Sequence, residues 1–223
     1  MGEYAIMPGR KGPFPDDQGL DVACVDNWGA ILVAEQGGKY MEWCRRGQVY
    51  AARSGAAAAL PIFSTQTNGP ALWNPSSSGN VVVPIKIHMT PVAVTSAVHT
   101  GFLLSYLSGC GDNYATGAPV ITWTNIAPVS TQLGGGKVAS TKFANGTVTY
   151  TVQPSVFADI GMIQNVDGTP ATGGFSDITY EFDGSVMLAP GALMTFTALA
   201  ATVNTFWVTI LFAELPLVAG GLA

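Results

Sequence analysis

The chain has 223 residues, of which 48% are apolar, and carries a formal net charge of −5 at neutral pH. Its nine Lys and Arg residues are too few for the basic surface that binds nucleic acid, so we expect no nucleic-acid partner. Thirteen charged residues lie in the first 53 positions and only ten in the remaining 170. A soluble monomer usually devotes about a quarter of its residues to charge. This distribution favours an assembled structural protein, whose strands meet other protein, over an enzyme.

Cysteine spacing and hydropathy argue against further classes. Cys24, Cys44 and Cys110 are odd in number and far apart, so they indicate neither a disulfide framework nor a zinc motif, and we expect no cofactor. Residues 1–15 contain no apolar core of a signal peptide. The uncharged stretch 184–213 has polar residues every two or three positions, which is typical of strands and not of a membrane-spanning helix. We therefore expect no membrane partner.

Residues 1–37 predict an extended arm. Breaker residues are dense between positions 7 and 17, where Pro and Gly recur among charged residues. Trp28 and the apolar run at 30–34 indicate that part of this arm docks on a surface. The alternative is a flexible tail on a monomer.

Residues 38–53 predict a short helix that leads into the first core strand. Tyr40, Trp43 and Cys44 share one helical face because they are separated by three and four positions. Gly47 is suited to end the helix, since glycine readily adopts the left-handed conformation that follows a helix C-terminus.

From residue 56 onward the apolar period changes to two, which predicts strands. We expect a long strand over 81–90, with an edge or a bulge at Pro84 because proline cannot donate to a ladder. Asn145-Gly146 predicts a hairpin within 142–150, and Asp183-Gly184 predicts a turn between two short strands. Further strands are predicted over 92–106, 120–124, 193–199 and 205–215.

Short strands separated by turn signals, with no long amphipathic helix, predict an all-β fold. We expect an antiparallel β-sandwich of jelly-roll type with an extended N-terminal arm and a short helix. Residues 1–53 would form the arm and the helix, and residues 54–223 would form the sandwich.

Two patterns superficially suggest catalysis or phosphate binding. Cys110 with His88 or His99 could form a thiol nucleophile and its base, but a small buried or loop cysteine is far more common. The glycine-rich run 134–137 ends in a Lys, as a phosphate loop does, but Val138 stands where that motif needs Ser or Thr. We interpret both segments as structural.

Three carboxylates lie close together in the sequence around one predicted turn. Asp177, Glu181 and Asp183 could hydrolyse a glycosidic bond or hold a calcium ion. Acids around a turn more often form a solvated loop. We therefore predict neither a catalytic nor a metal site here.

The predicted helix is rich in residue types that form interface hot spots, where aromatic residues and Arg are over-represented. The candidate capsid-contact residues are Lys39, Tyr40, Trp43, Arg45 and Arg46, together with Trp28 of the arm. The alternative is that this helix packs only on its own domain.

Residues 38–90 resemble a pattern found in structural proteins of tailed bacteriophages. The pattern comprises Gly38-Lys39-Tyr40-x-Glu42-x-x-Arg45-Arg46-Gly47-x-x-Tyr50, then Leu72-Trp73-Asn74-Pro75-Ser76-Ser77-Ser78-Gly79-Asn80 and an apolar strand. In its overall style the chain is similar to capsid decoration, or cement, proteins. The resemblance implies a β-rich, commonly trimeric protein with an arm that lies on the capsid shell. It implies no catalytic residue.

The composition and the resemblance together predict a virion structural protein and not an enzyme: a capsid decoration protein on the capsid surface, synthesised in the host cytoplasm. Its partners would be the major capsid protein and further copies of itself, which we expect to form a homotrimer. Residues 1–53 would attach to the capsid and residues 54–223 would hold the oligomer together. The alternative is a phage fibre or spike head domain that binds a host-surface receptor through loops around Tyr114 and Trp123.

Overall fold

The computed structural model describes residues 39–54, 58–60, 63, 67–68, 70–93, 99–110, 120–122, 125–133, 137–144, 148–150, 153–164, 177–199 and 205–217. The chain divides into two compact units, residues 1–41 and 42–223, and every described strand belongs to the second. The predicted arm with Trp28, and the loop residues Tyr114 and Trp123, lie outside the described residues.

Within these ranges the chain forms one short helix and fifteen strands. The helix is α1, Met41–Arg45. The strands in chain order are β1 Val49–Arg53, β2 Ala58–Ala59, β3 Thr67–Asn68, β4 Ala71–Trp73, β5 Asn80–Ala93, β6 His99–Leu107, β7 Val120–Thr122, β8 Asn125–Ile126, β9 Val129–Ser130, β10 Lys142–Ala144, β11 Val148–Tyr150, β12 Ser155–Gln164, β13 Ile178–Glu181, β14 Leu193–Ala198 and β15 Thr205–Pro216. This composition confirms the predicted all-β class.

The strands form two large antiparallel sheets and one small one. The first sheet has the order β13-β5-β15-β1-β9, and β2 pairs with β15 as its sixth strand. The second sheet has the order β12-β6-β14-β4-β10-β8. The small sheet has the order β3-β11-β7. In the first sheet, the last strand of the chain therefore lies between two strands from its first half.

Side chains from both large sheets meet in one hydrophobic core. On β15 the side chains at even positions from Phe206 to Phe212 are buried, as the period of two requires. Phe102 of β6 contacts Phe206 of β15 edge to face, with ring centroids 5.2 Å apart, so the two sheets pack directly on each other. Burying each such side chain contributes about 1.5–3 kcal/mol. The same core contains Leu72, Ile87, Met89, Leu104, Phe143, Met194 and Phe196.

The outer faces of the two large sheets differ in exposure. On the second sheet, the outward side chains of β6 and β14 are buried as well: Leu103, Ser105, Leu107, Leu193, Thr195 and Thr197. Two of these, Leu107 and Leu193, join Trp73 and Cys110 in a second, smaller hydrophobic cluster. The outward side chains of β15 in the first sheet, Trp207 and Thr209 among them, are only half-buried. The first sheet is thus the one with an open outer face.

The long strand β5 contains the predicted bulge at Pro84. Opposite β15, Lys86 pairs with Leu211 while Pro84 pairs with Phe212, so Ile85 is the extra residue. The Ile85 carbonyl instead accepts a hydrogen bond of 3.0 Å from the Phe182 amide. A proline is tolerated in this central strand because the bulge interrupts the ladder where its missing amide would be needed.

The predicted turn at Asp183-Gly184 is confirmed, but the two segments that flank it do not pair as a hairpin. Asp183 and Gly184 have φ of 50° and 80°, and the Ser185 amide donates to the Phe182 carbonyl at 2.8 Å, as expected for a tight turn with two left-handed residues. Both flanking segments pair with β5: β13 before the turn, and Leu188 after it, opposite Val82. They therefore lie one after the other along the same edge of β5 and do not pair with each other.

The predicted hairpin around Asn145-Gly146 is wrong. On its N-terminal side, β10 pairs with β4 and β8 in the second sheet. On its C-terminal side, β11 pairs with β3 and β7 in the small sheet. Both edges of each strand are occupied, so the two strands cannot pair with each other, whatever the local turn preference.

The first strand belongs to the first sheet. β1 pairs with β15 along its whole length, from Val49 opposite Ala213 to Arg53 opposite Thr209. The predicted boundary after residue 53 therefore falls at the end of a sheet strand.

We expect Ile210→Ala to lower the free energy of unfolding by about 2–5 kcal/mol, because it leaves a cavity in the shared core. The matched control is Thr209→Ala on the same strand, which faces outward and should change this free energy by about 0.5 kcal/mol or less. Urea unfolding at one fixed protein concentration measures both. Equal effects of the two substitutions would contradict the assigned faces of β15.

Candidate interaction surfaces

The predicted helix forms and ends where expected. Gly47 has a φ of 64°, and its amide donates to the Cys44 carbonyl at 2.9 Å while the Gln48 amide donates to the Trp43 carbonyl at 2.9 Å. A Cβ at this position would lie 2.8 Å from both Gln132 Oε1 and Lys137 Cδ, so these two flexible side chains would have to shift. The predicted C-terminal stop at Gly47 is confirmed.

The candidate contact residues of this segment differ in exposure. Lys39, Arg45 and Arg46 are exposed, whereas Tyr40 and Trp43 are half-buried. The Lys39 ammonium lies 5.5 Å from the centre of the Tyr40 ring, a cation–π contact. The segment thus presents basic groups next to aromatic surface, the combination that indicated a contact surface in the sequence.

The C-terminal side of α1 is tied to residues 131 and 137. The Thr131 hydroxyl lies 3.7 Å from the Cys44 sulfur and also donates to the Val49 carbonyl at 3.0 Å. The Lys137 ammonium donates to the Arg46 carbonyl. These contacts hold the backbone that carries Arg45 and Arg46 in a defined place.

A second surface, which the sequence analysis missed, is the outer face of the first sheet. We call it the open sheet face and define it by Arg53, Lys86, His88, Asp177, Thr179, Glu181, Trp207 and Thr209. Cross-strand pairing aligns these residues in rows. His88 lies opposite Thr179 on one side and Thr209 on the other, and Arg53 lies opposite Thr209 from the far strand. The alternation of apolar and polar residues along β15 is a signal that could have indicated one outward face from the sequence. Which residues of other strands lie beside that face is decided by strand pairing.

Specific contacts order the side chains of the open sheet face. The Arg53 guanidinium lies over the Trp207 ring at 4.1 Å from its centre. Lys86 Nζ lies 3.2 Å from Glu181 Oε1. Exposed ion pairs of this kind contribute about 0–1 kcal/mol to folding, so this pair does not explain the stability of the sheet.

The edge of the open sheet face carries a histidine between two partners. His88 Nδ1 lies 3.0 Å from Thr179 Oγ1, and His88 Nε2 lies 3.5 Å from Asp177 Oδ2. All three residues are at least partly exposed. These contacts fasten β13, the outermost strand on this side, to β5.

An apolar groove lies near the end of β6 and the start of β12. It encloses about 290 Å³ and is lined mainly by Tyr106, Phe157, Val186, Met187 and Ala192. The rings of Tyr106 and Phe157 meet edge to face at 6.2 Å. Met187 is 56% exposed, so the groove has apolar surface open to solvent.

The residues considered for thiol catalysis are not brought together. Cys110 is buried in the small cluster on the second sheet, and its amide donates to the Gly191 carbonyl at 2.8 Å. Burial raises the pKa of its thiol to about 11. A nucleophilic cysteine needs the opposite shift. His88 lies on the open face of the other sheet, and the side chain of His99 is outside the described part.

Two of the three carboxylates around the turn have different partners. Asp177 contacts His88 and Glu181 contacts Lys86, on the open sheet face. In the described ranges, no three His, Cys, Asp or Glu residues are grouped so that they could hold a metal ion. The same ranges contain no helix that is long and apolar enough to span a membrane.

Comparison of the chain with protein-family models, with curated proteins and with solved structures finds no match. Its function is therefore argued from strand order and from the surfaces described above.

We expect iodoacetamide to modify Cys44 much faster than Cys110 in the folded protein at pH 8. Cys110 is buried and its pKa of about 11 leaves roughly one thiol in a thousand ionised at that pH. The modification of Cys110 should accelerate as the pH rises toward 11. Mass-spectrometric peptide mapping follows each site, and the urea-unfolded chain is the control in which both react. Rapid labelling of Cys110 in the folded protein at pH 8 would contradict its assigned burial.

Proposed function

We propose that this protein is a virion structural protein, a capsid decoration or cement protein that self-associates on a β-sandwich of jelly-roll type and stabilises the shell by bridging major capsid subunits. The observation that carries this proposal is the strand order of the two large sheets. The open sheet face and the basic, aromatic helix segment supply the two contacts that the function needs.

The strand order supports a jelly roll. Eight strands form the body of the two sheets in chain order: β1, β4, β5, β6, β12, β13, β14 and β15. The first sheet contains the first, eighth, third and sixth of these as neighbours, and the second contains the second, seventh, fourth and fifth. This alternation between sheets is the order expected of the double Greek key of jelly rolls, which are found in viral capsid proteins. Fold alone does not establish function, so the surfaces must carry the rest.

The short strands along one side of the sandwich support a protein whose self-assembly avoids edge-to-edge strand pairing. The long segment between β6 and β12 adds β9 beside β1 in the first sheet, and β10 and β8 beside β4 in the second. The same side of both sheets is thus extended by one segment with short strands. Short outer strands are poor templates for uncontrolled edge-to-edge pairing. Edge-to-edge association is therefore disfavoured on this side of the sandwich, whereas the ten-residue β12 forms the opposite edge of the second sheet.

The open sheet face is suited to contact with another copy of the chain. Arg53 lies on β1 and Asp177 lies next to β13, three strand spacings away, or about 14 Å. Lys86 and Glu181 neutralise each other between them. The face therefore has a positive end and a negative end, with Trp207 available for burial. In a ring, the positive end of one copy would meet the negative end of the next.

The segment at α1 is suited to the capsid contact. Its exposed Arg45 and Arg46 and the half-buried Trp43 are of the residue types that dominate interface energies. In a trimer each contact is present three times, so weak contacts combine into tight attachment. Binding only to the assembled shell stabilises that shell by mass action.

We expect the isolated protein to be a trimer and Arg53→Glu to weaken its self-association at least tenfold, because the positive end of the open sheet face is lost. The double variant Arg53→Glu/Asp177→Arg, which exchanges the two ends, should recover part of the affinity. The matched control is Arg45→Glu, which should remain trimeric. Light scattering after size exclusion over a dilution series measures each mass. A wild-type chain that stays monomeric at micromolar concentration would overturn self-association.

We expect a chain that lacks residues 1–37 and carries Trp43→Ala and Arg46→Ala to form the oligomer but to fail to decorate capsids stripped of the protein. Loss of a few hot spots at about 2 kcal/mol each, repeated over the copies of an oligomer, is sufficient. Co-sedimentation with stripped capsids measures the attachment, with the full-length chain as control. Normal decoration by the truncated variant would mean that the attachment surface lies on the sheets.

A further inference from the structure

A polar cavity lies where the start of β5 and the end of β15 meet the segment 137–141. It encloses about 250 Å³. Its lining comes from four separate parts of the chain and contains Gln48, Tyr50, Asn80, Lys137, Ser140 and Glu214, with Val138 and Pro216 as its apolar members. The cavity lies outside the open sheet face, and none of the candidate capsid-contact residues lines it, although Gln48 and Tyr50 follow them closely in the chain.

Glu214 is the unusual residue of the cavity, because it is a charged residue only 7% exposed and its carboxylate is held in place by backbone amides. The Thr141 amide donates to Oε1 at 2.7 Å and the Ser140 amide donates to Oε2 at 3.2 Å. Each carboxylate oxygen can accept about two hydrogen bonds, so each retains capacity for a further donor. A carboxylate fixed in this way is a pre-oriented acceptor.

The other polar groups offer both donors and acceptors. Asn80 Nδ2 donates to Ser140 Oγ at 3.2 Å, which orients the amide and leaves its oxygen as an acceptor. Burial, and secondarily the charge of Glu214, raise the pKa of Tyr50, so its hydroxyl is protonated at neutral pH and can donate. The Tyr50 ring itself is fixed by stacking on Phe212 at 5.8 Å.

The charges and the size of the cavity restrict the class of ligand. One carboxylate, Glu214, and one ammonium, Lys137, balance each other, so neither an anion nor a cation is favoured by net charge. A volume of about 250 Å³ is just below the range of about 300–1,000 Å³ typical of sites for drug-sized ligands, so it suits a single ring. Val138 is 83% exposed and supplies apolar surface at the rim.

We propose that this cavity binds one neutral sugar residue through its hydroxyl groups, with Glu214 as the principal acceptor and Lys137 and Tyr50 as donors. A sugar carries many hydroxyls, each both donor and acceptor, and an apolar ring face, which match the mixed polar lining and the apolar rim. The ligand could be a free monosaccharide or the end of a surface glycan. The proposal does not rest on a role in capsid decoration, since a decoration protein or a fibre head could carry such a site.

The test is a titration of the ¹⁵N-labelled full-length protein, followed by NMR amide shifts, with glucose, galactose, mannose and N-acetylglucosamine, each as the free sugar. We expect at least one of them to bind with a Kd of about a millimolar, which is typical of a single shallow contact, and to shift amides at residues 47–50, 138–141 and 214. A glycan that ends in the same sugar is titrated in parallel. Tighter binding of the glycan identifies a chain end as the ligand, and equal binding identifies the free sugar; both support the site.

Three variants test the assignment of residues. Glu214→Gln removes the principal acceptor and should abolish binding, but it also removes a bond to a backbone amide, so its fold is checked by circular dichroism. Lys137→Met keeps the length of the side chain and should weaken binding at least fivefold; because it also removes the bond to the Arg46 carbonyl, its fold is checked in the same way. The matched control Lys142→Met, on β10 and outside the cavity, should bind as the wild type does.

Two results would overturn the proposal. One is the absence of amide shifts with all four sugars at about 50 mM, well above the expected Kd. The other is binding that Lys137→Met and Lys142→Met reduce equally, because the shifts would then arise elsewhere. Either result leaves self-association and decoration untouched, so the two proposals fail independently.

Discussion

The insertion of β15 between β1 and β5 is the interaction on which the rest of the structure depends. Its even-numbered side chains from Phe206 to Phe212 contribute to the shared core. On its other face Trp207 and Thr209 form the centre of the open sheet face. Near the C-terminal end of β15, Glu214 lines the polar cavity. One strand thus supplies the core, the proposed self-association surface and the proposed ligand site.

This constraint is non-local, which has consequences for how the protein forms. The first sheet becomes continuous only when residues 205–216 have paired with residues 49–53 on one side and with residues 80–93 on the other. Closing such long loops costs conformational entropy before the contacts stabilise the chain, so folds of this kind form slowly. The open sheet face draws its members from β1, β5, β13 and β15, so it exists only once the whole chain has folded. A surface of that origin cannot promote association of incomplete chains.

The scarcity of charge after residue 53 has a structural counterpart in the two outer faces. The second sheet buries its outward Thr and Leu side chains, such as Thr195 and Leu193, so charges there would have been costly to desolvate. On the open face of the first sheet Lys86 pairs with Glu181, Asp177 contacts His88, and Arg53 lies over the Trp207 ring. What is left uncovered is a nearly neutral surface with an aromatic ring at its centre. Trp207 and Arg53 of this face are of residue types enriched at protein interfaces.

The sequence by itself determined the features that depend on neighbouring residues. The period of two along β15, the bulge at Pro84, the end of the helix at Gly47 and the turn at Asp183-Gly184 all follow from local sterics and side-chain alternation. The tertiary structure alone decided which strands pair. The Asn145-Gly146 signal was misleading because β10 and β11 each found other partners, and the rows of the open sheet face join residues that are far apart in the chain, as Lys86 and Glu181 are. Partner choice depends on burying both faces of two sheets at once, a requirement that no short window of sequence contains.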